Sequence, residues 1–76
     1  MKLHNGLTAA YIAAFRVAAE TGESAYVVHN ADDFTDGVGY VVLAGPWDPF
    51  LETCDVVDEI SPEGEFSAEV QTGRKL

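Results

Sequence analysis

His4, His29 and Cys54 are the side chains of this sequence best suited to general-base or nucleophilic chemistry near neutral pH. His29 closes the run AYVVHN, and Cys54 and Asp55 open the run TCDVVDEI. If both runs are strands of one sheet, His29 can meet Cys54 or Asp55 across it and form a Cys–His pair of the kind that activates a thiol. No nucleophile elbow or triad pattern accompanies them. His29 is therefore read as a half-buried structural histidine and Cys54 as a small apolar filler. Asp32, Asp33 and Asp36 resemble part of a calcium loop, but the third position of that loop is Phe34 and the twelfth is Leu43, where oxygen ligands are required. Gly37-Val38-Gly39 has no helix after it to hold a phosphate. Neither an enzyme, a metal site nor a cofactor is expected.

What remains is charge. Thirteen carboxylates face four basic side chains, a formal net charge of −9 on 76 residues. Glu20 and Glu23 alone precede residue 32, and the other eleven carboxylates fall between Asp32 and Glu69. Side chains two positions apart on a strand stand about 6.8 Å apart, close to twice the roughly 3.4 Å phosphate spacing along one strand of a duplex. Glu65 with Glu69, led by Glu63, and Asp55 with Glu59 are expected to form such outward rows, with Asp58 in the same acidic stretch. Trp47 and Phe50, framed by Pro46 and Pro49 and flanked by Asp48 and Glu52, are the residues most suited to anchoring a partner that brings arginines. The competing reading of Trp47 is that it closes one end of a small core.

The elements that would position these groups follow from periodicity. Thr8 to Thr21 reads as a helix: it is rich in alanine, Leu7, Tyr11, Ala14, Phe15 and Ala18 recur every three or four residues, and Gly22 supplies the stop. Asn5 or Thr8 is the expected N-cap. Residues 25–30 and 39–44 are β-branched and aromatic runs flanking the turn signal Asp36-Gly37, and so predict a hairpin with Tyr26, Val28, Val41 and Leu43 in the core. Residues 53–60 predict a third strand of ambiguous register, with Val56, Asp58 and Ile60 sharing one face. Residues 65–71 alternate strictly, which predicts a fourth strand with Phe66, Ala68 and Val70 inward. Residues 73–76 read as a loose tail. The expected fold is α+β: one N-terminal helix packed on a three- to four-stranded antiparallel meander, a single domain over residues 1–76.

At this length only about 60% of the unfolded surface can be buried, so stability is expected to be modest. A hydrophobic content of 47% is too high for an unfolded chain, and the single cysteine excludes an internal disulfide. With neither an apolar leader nor an apolar run long enough to span a bilayer, a cytoplasmic protein without membrane association is expected.

A very small, strongly acidic α+β chain with no catalytic motif resembles the phage-borne anti-CRISPR proteins, the stretch from Asp32 to Glu69 carrying the resemblance. That resemblance implies a non-enzymatic inhibitor that binds the Lys/Arg groove of a CRISPR effector in the host cytoplasm, a type I surveillance complex first among them. Its expected contacts are Asp55, Asp58, Glu59, Glu63, Glu65 and Glu69 as phosphate substitutes, with Trp47 and Phe50 as anchors. The partner is then a protein with a basic surface, not nucleic acid. The alternative is a structural or adaptor module, a monomer or a homodimer paired through a strand edge, whose acidity serves solubility.

Overall fold

The computed structural model describes residues 1–63. The predicted fourth strand at 65–71, with Phe66, Ala68 and Val70, and the tail at 73–76 lie outside them, as do Glu65 and Glu69. One helix, α1 (Leu7–Thr21), is followed by β1 (Ala25–Ala31), β2 (Val38–Ala44), a short 3-10 helix (Pro49–Thr53) and β3 (Val56–Ile60).

α1 forms where the alanine run predicts it. Its C-terminus ends at Gly22, which takes the left-handed conformation (φ 71°) and donates its N–H to the Ala18 carbonyl. The N-cap is Gly6, with no side-chain capping bond, rather than Asn5 or Thr8. The line that meets the sheet is Ala10, Ala14 and Ala18, all fully buried, with Tyr11, Phe15 and Val17 packed beside them. Alanines at four-residue spacing present no bulk, which lets the helix lie close on the sheet. Leu7, expected in that stripe, is exposed.

The sheet is antiparallel with order β2-β1-β3, so β1 is central and β3 pairs with β1 rather than continuing a meander from β2. β1 is accordingly buried on both faces. Ala25, Val27 and Ile60 pack against α1, while Tyr26, Val28 and Val41 pack on the opposite face. Leu51 from the 3-10 helix covers that second face, with Leu3, Phe34, Leu43, Cys54 and Val56 around it. The sheet is thus covered on both sides, by α1 and by the connection from β2 to β3.

That connection replaces the predicted start of the third strand at Thr53. Asp48 caps the 3-10 helix, its carboxylate accepting from the Leu51 N–H at 3.2 Å, and Pro49 occupies the first turn, where a missing N–H costs nothing. β3 then begins at Val56, and a bulge opposite Val27 and Val28 makes Val57 the extra residue. The bulge reverses the alternation. Asp58 and Ile60 face α1, but Val56 joins the opposite cluster, which corrects the expectation that all three share a face.

The free edge of β2 carries a bridge from the N-terminus: His4 donates to and accepts from Tyr40 at 2.8 and 2.9 Å. Gly39 makes this crossing possible, since a Cβ there would stand 2.5 Å from the His4 carbonyl oxygen. No helix of the described residues is long and apolar enough to cross a membrane.

Candidate functional site: an acidic aromatic surface

The hairpin loop is organised by Asn30. Fully buried at the end of β1, its amide nitrogen donates to the carbonyls of Thr35 (2.9 Å) and Gly37 (2.6 Å), and its oxygen accepts from the N–H groups of Phe34 (2.8 Å) and Thr35 (3.4 Å). Asp32, at φ 63°, accepts from the Gly37 N–H at 2.6 Å, and Asp33 accepts from the Ala31 N–H at 3.5 Å. Asp32, rather than Asp36, therefore serves the turn. The loop turns Asp33 and Phe34 toward the 3-10 helix, where the rings of Phe34 and Phe50 meet edge to face at 6.1 Å.

Between these elements lies an open groove of about 480 Å³ lined by His29, Asp33, Phe34, Phe50, Thr53, Cys54 and Asp55. His29 Nδ1 stands 3.7 Å from the carboxylate of Asp55, and its ring meets Tyr40 edge to face. The Cys54 thiol is directed at the Phe50 carbonyl at 3.4 Å. His29 thus meets Asp55 as the strand pattern allowed. Phe50 is 56% exposed and Asp55 77%.

A second acidic cluster surrounds Tyr26. Burial, then the charge of Glu59 opposite it on β3, then Asp48 and Glu23, raise the Tyr26 pKa above 10.0, against a hydrogen bond from Ser24 that lowers it. Trp47 packs edge-on against Tyr26 at 5.6 Å, and its Nε1 donates to Glu52 at 3.5 Å. At 48% exposure the indole both covers Tyr26 and faces solvent.

The predicted contacts are distributed unevenly over this surface. Asp55, Phe50 and Trp47 are exposed on the side of the 3-10 helix, and Glu63 is exposed in the turn after β3. Asp58 is not a surface carboxylate. It is 7% exposed beneath α1, where it accepts from the Tyr11 hydroxyl at 3.1 Å and from the Glu59 N–H at 2.8 Å. The Asp55–Glu59 row does not form either: with the bulge between them, Asp55 lies beside His29 and Glu59 flanks Tyr26. Asp33, Phe34 and Asn30 were not singled out as site residues. Their signal is the aspartate-rich loop itself, whose residues resemble part of a calcium loop but do not complete one.

The described cations sit elsewhere. Lys2 and Arg16, together with His4, line a groove of about 300 Å³ beside α1 with Met1, Ala13, Val17 and Val42. Among the described residues no group of three or more His, Cys, Asp or Glu is placed to hold a metal ion. Comparison of the chain with protein-family models, curated proteins and solved structures found no match in any of the three.

Proposed function

We propose that the protein acts without turnover, as an acidic ligand that occupies a Lys/Arg-rich groove otherwise filled by nucleic acid. The observation that carries this reading is the segregation of charge. Residues 1–63 hold eleven carboxylates and two basic side chains, 2 − 11 = −9, so they carry a net charge equal to that of the whole chain. All of those carboxylates but Asp58 and Glu59 are exposed. Both cations line the groove beside α1, whereas Asp33 and Asp55 line the other groove with Phe50, and Asp48, Glu52 and Glu59 stand around Tyr26 and Trp47. A low-dielectric aromatic surface set among carboxylates concentrates a negative field and steers a basic partner toward it. The field, rather than a phosphate-spaced row, supports the reading.

The resemblance to anti-CRISPR proteins makes a type I surveillance complex the partner to test. With fluorescent target duplex bound to that complex, addition of the protein is expected to release the duplex in proportion to its concentration. Undiminished duplex binding at saturating protein would overturn the proposal. Self-association is the outcome favouring an adaptor module, and light scattering detects it. Two copies at −9 repel one another, so the expected species is a monomer.

A further inference from the structure

We infer that the groove between the hairpin loop and the 3-10 helix seats the guanidinium of one partner arginine. This rests on the proposed binding of a basic surface and names the place where its most specific contact is made. The groove joins three features that this side chain uses together. The exposed Phe50 ring, held edge-on by Phe34, offers an apolar face for a planar cation. Asp33 and Asp55 both line the groove, are exposed and offer carboxylate oxygens to a fork of N–H donors. The apolar arginine stem has the Phe34 and Phe50 rings of the same groove to lie along.

Arginine is favoured over lysine by the same geometry. A guanidinium stacks on a ring and bonds two acceptors in one plane, whereas an ammonium is a compact, strongly hydrated charge that does neither as well. Among the described residues the groove has no lysine or arginine in its lining, and Lys2 and Arg16 line the other one. His29 Nδ1, 3.7 Å from the Asp55 carboxylate, competes for it from within the chain.

The test uses the full chain, labelled with 15N, titrated with a hexa-arginine peptide and separately with a hexa-lysine peptide. Amide shifts are expected to concentrate at Asp33, Phe34, Phe50, Cys54 and Asp55, with the arginine peptide binding about threefold tighter than the lysine peptide. Phe50→Ala should weaken the arginine peptide about threefold and remove its advantage over lysine. The double variant Asp33→Asn/Asp55→Asn should weaken it about tenfold. The control, Glu20→Gln/Glu63→Gln, removes the same charge away from the groove and should cost about twofold. Retained amide dispersion in each variant shows that it is folded.

Equal losses in the groove variant and the control, or shifts spread over all the exposed carboxylates, would refute the arginine seat while leaving the acidic-ligand reading intact. Failure of both peptides to bind at low salt would remove both readings.

Discussion

Replacing Asn30 by alanine is the sharpest test of how the acidic loop is held. The side chain supplies two donated and two accepted hydrogen bonds inside a fully buried position. The Gly37 carbonyl keeps the Asp32 N–H as a donor at 3.0 Å, so the loss falls on the Thr35 carbonyl and on the N–H groups of Phe34 and Thr35. At about 1 kcal/mol per bond, discounted because the Thr35 N–H contact is long, Asn30→Ala should cost about 3 kcal/mol. A domain of this length has roughly 4–11 kcal/mol in total, so the loss is a large fraction of it. With an m-value near 1 kcal/mol/M, the urea midpoint should fall by about 3 M. Asn30→Asp should be at least as damaging. It keeps the acceptor for Phe34 and Thr35 but turns a carboxylate oxygen toward the carbonyls of Thr35 and Gly37, beside Asp32 and Asp33. Urea unfolding followed by far-UV circular dichroism reads both variants. A cost below about 1 kcal/mol for alanine, or a stable aspartate variant, would show that the loop is held by something other than this amide, and the placement of Asp33 and Phe34 would fall with it.

Other substitutions separate structural from surface groups. Asp58→Ala removes the acceptor of Tyr11 and Glu59 and should cost about 2 kcal/mol, whereas Asp55→Ala should change stability by less than about 0.5 kcal/mol. Thermal denaturation of the pair checks the contrast, and equal effects would contradict the placement of Asp58. Gly39→Ala pushes a Cβ against the His4 carbonyl and should cost about 1–3 kcal/mol, with loss of hydrogen-exchange protection at the His4 and Tyr40 amides; unchanged protection would mean that the N-terminal bridge does not persist. Tyr26 keeps its proton above the pH at which an unfolded tyrosine loses it, 10.0. Between those two values the folded state binds the proton that the unfolded state has lost, so stability falls as pH rises past about 10. Tyr26→Phe should flatten that fall, and an unaltered slope in alkaline urea titrations would place the titration elsewhere.

Much of the scaffold is legible in the residues. Alanines at 10, 14 and 18 and the glycine at 22 specify α1 and its end, and the two Tyr-Val-Val runs specify the hairpin, because these signals are local. The sheet order is not local. Nothing in residues 45–55 announces that they cross beneath β1, although Asp48 followed by Pro49 is the start signal of a helical turn. The register of β3 was obscured by its own bulge, since Val56 and Val57 are adjacent valines and either can face the core. Asp58 shows how composition misleads: a carboxylate in an acidic stretch reads as surface until its partner, Tyr11, is found on another element. Phe50 and Asp55 were recognisable singly, but their meeting with Asp33 and Phe34 depends on the Asn30 network, which a sequence pattern does not express.

The central proposal, that this protein binds through its acidic surface in place of nucleic acid, is tested most directly by the salt dependence of any binding to the proposed partner, a type I surveillance complex. Between about 0.1 and 1 M salt the screening length contracts from roughly 10 to 3 Å. The account predicts a steep fall in affinity over that range, shallower for Asp33→Asn/Asp55→Asn, with displacement of duplex lost in parallel. Affinity that holds constant across the range would contradict it.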